Sequence, residues 1–372
     1  MSIKVLVAED SSFQRKIITE ILLSTNEIEK VEIARNGREA IQKVEIFNPD
    51  VLILDLMMPV VDGITVFKFL SEHYPIPTII FTSKSPETLD DSIQALLLGA
   101  FDFIVKPKGL WEEEFPKLKE KLIFSTLYAA KIKKTYEKRN LLIKQSVEIS
   151  KTFEKFREYS QKSLKPKIEP IDSPVKKSQT STKVIAIGTS TGGPRTLKFI
   201  LKQIPMDFKI PILIIQHLDP YFMKELSKSL NRACDIKIKI AEDGEKIHPG
   251  IAYLSPGGNH MKIIRKNNIP LIKTFKGEPV NFCMPSVDVL FFSVAEVYKN
   301  QALGIILTGL GNDGAAGLEA IKKEGGRTIA ESEQTCVVYG MPKAAIKKDA
   351  ANYILPNYKI HQKIIEFNNG QF

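Results

Sequence analysis

Val184-Ile185-Ala186-Ile187-Gly188-Thr189-Ser190-Thr191-Gly192-Gly193 opens as an apolar run and ends in a serine set among glycines. The run reads as a buried strand, and Pro194 to Leu201 reads as the helix that follows it. A sharp strand-to-helix turn exposes a serine Oγ, and small neighbours let a carbonyl approach it. Two more strand ends supply polar partners. His217 follows Pro211-Ile212-Leu213-Ile214-Ile215-Gln216, and Asp313 comes soon after Gly304-Ile305-Ile306-Leu307-Thr308. A hydroxyl, an imidazole and a carboxylate at strand ends point to a serine hydrolase.

Around this core the second half of the chain, from Lys183 onward, reads as an α/β domain, with further strands at Ile212–Ile215, Ile251–Leu254 and Leu303–Leu307. Residues 1–125 show their own βα alternation, with strands expected at Lys4–Ala8, Val31–Ala34, Val51–Leu54, Thr78–Phe81 and Phe103–Val105. Such a rhythm argues a parallel sheet with helices on both faces. From Trp111 the pattern turns helical, with Phe115, Leu118, Leu122 and Ile123 on one face and helical character continuing through Leu127, Ile132, Tyr136 and Ile143. Residues 126–182 form a basic helical and flexible connector, and 160–182 read as a Lys-, Pro- and Ser-rich tether.

Composition bounds the function. The 372 residues suit two domains, and 43% apolar with 26% charged residues is ordinary for a globular protein. No apolar run reaches the roughly 20 residues of a membrane span, and the start of the chain enters a strand pattern without a signal-peptide layout. Cys234, Cys283 and Cys336 lack Cys-x-x-Cys spacing, which argues for a reducing cytoplasm and against a disulfide framework or a zinc site. Of the net charge of +10, the connector carries +8 (14 Lys and Arg against 6 Asp and Glu). The excess is read as a solvated linker rather than a nucleic-acid surface.

In open α/β sheets, ligands gather beyond the carboxyl ends of the strands. In the first half those ends carry Glu9-Asp10, Asp55, Thr82 and Lys106-Pro107. Three converging carboxylates repel unless a divalent oxygen-seeking cation joins them, and Mg²⁺ is the expected one. Lys106 adds a charge for phosphate oxygens, Thr82 a hydroxyl, and Asp55 a carboxylate nucleophile for in-line phosphoryl transfer.

Val7-Ala8-Glu9-Asp10-Ser11, Leu52-Ile53-Leu54-Asp55-Leu56-Met57-Met58-Pro59, Thr82-Ser83 and Lys106-Pro107 closely resemble the receiver domain of bacterial response regulators. The resemblance implies a flavodoxin-like fold and phosphorylation of Asp55 by a histidine kinase. It implies Mg²⁺ held by Glu9, Asp10, Asp55 and the Met57 carbonyl, phosphoryl sensing by Thr82 and Lys106, Phe103 as aromatic switch, and a cis bond before Pro107.

In the second half, Gly188-Thr189-Ser190-Thr191-Gly192 fits Gly-x-Ser-x-Gly, yet the order Ser190, His217, Asp313 is not that of α/β-hydrolases. Bland alternatives stand beside the triad. Ser190 suits a phosphate-cradling turn, His217 a rim histidine, and Asp313 a helix N-cap before Ala315–Lys323. His73, His248, His260 and His361 are read as structural or solvated. The loop Thr308 to Gly314 or the helix start after Ser190 offers N–H groups to an oxyanion.

With Pro249 to Met261, Pro285-Ser286-Val287-Asp288-Val289-Leu290, Thr308 to Gly314 and Thr335 to Pro342 added, the chain resembles the chemotaxis protein-glutamate methylesterase (CheB) family. That likeness implies a doubly wound, mostly parallel catalytic domain over 183–372, without a cofactor of its own. It implies Ser190, His217 and Asp313 as triad, and Thr191, Gly192, Leu310 and Gly311 around the oxyanion. The implied activity is hydrolysis of γ-glutamyl methyl esters on chemoreceptors, with glutamine deamidation as a second reaction. The expected partners are chemoreceptors and a chemotaxis histidine kinase, with no nucleic acid and no membrane insertion. Leu310 stands where the family usually has methionine, and the connector is longer than usual. An inactive esterase-like binding module remains the alternative reading.

Overall fold

The computed structural model describes residues 2–107, 115–133 and 183–372. In the first domain β1 (Ile3–Ala8), β2 (Ile28–Ala34), β3 (Val51–Asp55), β4 (Thr78–Thr82) and β5 (Asp102–Val105) form a parallel sheet in the order β2-β1-β3-β4-β5. Helices α1 (Ser12–Leu23), α2 (Gly37–Phe47), α3 (Gly63–His73) and α4 (Pro86–Leu98) connect the strands. Because both faces are covered, β3 and β4 are buried along their whole length, which explains their unbroken apolar runs. Side chains start the helices where the sequence offers them: Ser11, Asn36 and Asp62 each accept a backbone N–H from the first turn of α1, α2 and α3.

Residues 115–133 form one further helix, α5, with Leu118 and Leu122 buried and Phe115 and Ile123 half-buried. It runs past residue 125 into the segment read as connector. Ala129 is fully buried there, and Lys133 Nζ lies 3.1 Å from Asp50. Trp111, Tyr136, Ile143 and the remainder of the connector lie outside the described residues.

The second domain contains β6 (Val184–Thr189), α6 (Gly193–Leu201), β7 (Ile212–Gln216), α7 (Pro220–Ala233), β8 (Lys237–Ile240), β9 (Ile251–Leu254), α8 (Val287–Tyr298), β12 (Ala302–Ile306), α9 (Ala315–Lys323), β13 (Arg327–Glu331), α10 (Met341–Lys347), β14 (Tyr353–Leu355) and α11 (Asn357–Asn368). Its sheet has the order β14-β13-β12-β6-β7-β9-β8, all parallel. The chain winds outward from β6 to one side through β7, then returns to the other side at β12. The crevice above β6 is therefore a topological switch point, the place where ligands meet such sheets. The strand expected at Leu303–Leu307 is Ala302–Ile306, one residue earlier.

An antiparallel hairpin, β10 (His260–Lys266) and β11 (Ile269–Phe275), was not anticipated. Asn267 and Asn268 turn it with φ of 51° and 61°, the left-handed pair that tight hairpins favour. Among the described residues the one cis peptide bond is Met284–Pro285. The bond before Pro107 is trans, contrary to expectation. Trans is the intrinsic preference of an X–Pro bond, and Lys106 reaches its acidic partners from it.

The two domains pack face to face. Phe103 on β5, the edge strand of the first sheet, packs against Phe222 of α7 in a tilted arrangement, with ring centroids 4.6 Å apart and 57° between the ring planes. Lys84 pairs with Asp219 at 2.9 Å, and Arg232 with Asp90 at 3.4 Å. A cleft of about 1100 Å³ remains between them.

Candidate active site

Ser190 leaves the end of β6, next to Gln216 at the end of β7: Thr189 pairs with Gln216 across the two strands. The turn after Ser190 requires Gly192, whose φ is +79° and whose Cβ would strike Val337 at 2.4 Å. Gly309 approaches from β12, and a Cβ there would meet the Ser190 Cβ at 2.7 Å. Backbone bonds fasten the turn: Ser190 N–H donates to Thr308 O (3.0 Å), and the Thr308 hydroxyl donates to Thr191 O (2.9 Å).

Gln216 was not singled out in the sequence. Its buried amide donates to Ser190 O at 2.9 Å and to His217 O at 3.0 Å, tying two strand ends together. Its position as the last residue of an apolar strand, just before a histidine, was the available signal.

His217 and Asp313 meet. His217 Nε2 lies 2.9 Å from Asp313 Oδ2. The carboxylate sits at the N-terminus of α8, where its oxygens are fully engaged. Oδ1 accepts from the Ser286 hydroxyl (2.7 Å), Asn281 Nδ2 (3.0 Å) and Asp288 N–H (3.2 Å), and Oδ2 also accepts from Val287 N–H (2.7 Å). Burial alone would raise its pKa, but the His217 contact and these donors hold it below the usual carboxylate value. The N-cap reading of Asp313 is not observed: Gly314, with φ of +87°, precedes α9 without a side-chain cap. Asn281 also donates to Asp288 (2.7 Å), so one amide bridges two buried carboxyls.

The other His217 nitrogen, Nδ1, lies 3.6 Å from Cys283 Sγ. Burial opposes charge on the ring, yet the Asp313 hydrogen bond and Cys283 outweigh it and push the pKa up to about 9. Among the described residues Ser190 Oγ makes no hydrogen bond to His217; both line the cleft, together with Thr191, Leu310 and Gly311. Leu310 and Phe282 are exposed apolar residues at its rim. His260 is buried, with Nδ1 accepting from Ser286 N–H and Nε2 against Glu278 O. It braces the α8 entrance rather than joining the reactive groups.

In the first domain Lys106 Nζ reaches Glu9 at 2.9 Å and Asp55 at 2.8 Å. Glu9 is pushed up to about 7 by burial and by the Asp55 charge, and Asp55 is raised mainly by burial. Oxygens of Glu9, Asp10 and Asp55 lie within 4.8 Å of one another. An all-carboxylate donor set of this kind fits Mg²⁺. Met57 N–H donates to Asp55 (3.2 Å), fixing the backbone whose carbonyl is the expected fourth donor. The buried Thr82 hydroxyl interacts with Ser83 O and Ser92 rather than with Asp55.

Both halves of the chain match known families. The receiver-domain profile of response regulators matches residues 5–112, and the CheB methylesterase profile matches 185–364. A protein-glutamate methylesterase/protein-glutamine glutaminase of Archaeoglobus fulgidus is 37% identical over 98% of this chain and 97% of its own. One from Halalkalibacterium halodurans is 41% identical over 93% of this chain and 92% of its own. The chain belongs to the protein-glutamate methylesterase family. It is a carboxylic ester hydrolase of the CheB type, joined to a response-regulator receiver. The crystal structure of the Thermotoga maritima CheB methylesterase catalytic domain is 42% identical, covering 50% of this chain and 99% of that one, with a TM-score of 0.49. No described helix is long and apolar enough to cross a membrane.

Proposed function

We propose that this methylesterase demethylates γ-glutamyl methyl esters on the cytoplasmic helices of chemoreceptors, through Ser190, His217 and Asp313, under the control of phosphorylation at Asp55. The observation that carries the reading is the 2.9 Å His217–Asp313 contact within the cleft that Ser190 lines. Asp313 occupies Nε2–H and leaves Nδ1 as the base. Nδ1 takes the Ser190 proton as Oγ bonds to the ester carbonyl carbon. Backbone N–H groups near Thr191, Gly192, Leu310 and Gly311 receive the oxyanion. Collapse breaks the bond to the methoxy oxygen, which takes the proton from His217 and leaves as methanol. Water, deprotonated by the same nitrogen, then cleaves the γ-acyl-serine to free glutamate and Ser190. A glutamine side chain follows the same course with ammonia leaving.

In the receiver, an Asp55 oxygen accepts the phosphoryl group from a kinase phosphohistidine, and Lys106 neutralises it. Mg²⁺, when held by Glu9, Asp10, Asp55 and the Met57 carbonyl, supplies charge for the transferring phosphoryl oxygens. Two features support regulation. Receiver residues Phe101 to Val105 and Lys117 to Tyr128 wall the cleft opposite Ser190, and the Phe103 and Lys84 contacts both land on the segment just after His217. The unphosphorylated receiver restricts entry, and phosphorylation shifts the population toward an open arrangement.

The test is methanol release from methylated receptor. Ser190→Ala abolishes it while Asp55 still takes up phosphate. Retention of release by that variant refutes the serine mechanism.

A further inference from the structure

Cys283 and His217 are 66 positions apart in the chain, and their side chains meet in the cleft. We propose that Cys283 Sγ and His217 Nδ1 form a binding site for a zinc-class divalent cation, and that occupancy silences the esterase. The spacing fits the chemistry. With Zn–S of about 2.3 Å and Zn–N of about 2.0–2.1 Å, tetrahedral ligands sit roughly 3.5–3.6 Å apart, and the observed separation is 3.6 Å.

Asp313 has an oxygen within 4.8 Å of both other ligand atoms. Its five hydrogen-bond donors commit both oxygens, so it serves as the carboxylate that orients a metal-binding imidazole through the opposite ring nitrogen. The remaining coordination positions face the cleft and take water or the Ser190 hydroxyl. The donor set of thiolate and imidazole selects zinc-class ions over Mg²⁺, whereas the receiver's carboxylate cluster selects the reverse. The two sites in one chain are thereby separated by softness. A cation on Nδ1 occupies the lone pair that would take the Ser190 proton. Only this inhibitory consequence rests on the esterase reading; the site itself does not.

The experiment uses the full chain in excess Mg²⁺, so that the receiver site is filled, with Co²⁺ as the optical probe. The wild type develops a sulfur-to-cobalt charge-transfer band in the near ultraviolet, which Zn²⁺ displaces. The band is lost in Cys283→Ser and in His217→Gln, and kept in Cys234→Ser and Cys336→Ser. In parallel, Zn²⁺ inhibits methanol release, and Cys283→Ser raises the half-inhibiting concentration by about tenfold or more. No band in the wild type, or a band that survives Cys283→Ser, overturns the site. A chain that shows the band but releases no methanol in metal-free buffer overturns the esterase reading and leaves the cation site standing.

Discussion

The proposed mechanism asks His217 to act as a base in surroundings that favour its protonated form. With its pKa near 9, the neutral ring becomes common only as pH rises through that value. Methanol release, followed as kcat/KM, is expected to climb through neutrality and level off above about pH 9. Cys283→Ala removes one of the causes that raise the pKa, so its rising limb moves to lower pH; an unmoved limb refutes the coupling. Stability runs the opposite way. A raised histidine pKa contributes fully below the unfolded value of 6.5, and that contribution is lost as pH rises through about 9. The positions of Ser190, His217, Asp313 and Asp55 at or soon after strand ends were readable because each comes after an apolar run that reads as a buried strand. Cys283 and Asn281 were not, since they lie in a loop without periodicity and acquire meaning only when α8 brings that loop to the triad. Gln216 looked like the polar end of a strand, and its bridging role needed the neighbouring strand to be known.

At the scale of elements, α8 organises the acid. Its N-cap Ser286 bonds both the helix (Val289 N–H) and Asp313, and its first two N–H groups also point at that carboxylate. Ser286→Ala is expected to cost about 1–2 kcal/mol, read as a lower urea midpoint with unchanged slope. Helices α6 and α7 both pack against α4 across the domain interface. The Lys84–Asp219 pair is partly exposed, 36% and 28% by side chain. A double-mutant cycle should therefore return no more than about 1 kcal/mol at low salt, fading as salt is added. Strand positions were legible to within a few residues because parallel strands buried on both faces read as unbroken apolar runs. The hairpin β10–β11 escaped notice because it departs from clean alternation: β10 buries His260 and Met261 side by side, and β11 buries Ile272 alone and contains Pro270. The continuation of α5 beyond residue 125 was legible from its apolar spacing, and the described helix does run on to residue 133, where Ala129 is buried.

In the whole molecule, α4 of the receiver packs against α6 and α7, and the receiver supplies one wall of the cleft. Residues 183–372 prepared alone are expected to release methanol faster than the unphosphorylated full chain. A small phosphodonor with Mg²⁺ should close that gap, and equal rates without phosphodonor would refute the covering role. How the domains meet was not legible, because the aromatic and ionic contacts that join them come from residues ordinary in either domain alone.

The winding of the second sheet has a further consequence. The proposed nucleophile, Ser190, follows the first strand laid down in that domain, whereas the proposed acid, Asp313, lies beyond β12, more than a hundred residues later. A ribosome must therefore deliver most of the polypeptide before any ester-cleaving centre exists, while the regulatory half is already complete and free to fold. On the proposed reading, the newborn enzyme meets its own governor before it has anything to govern.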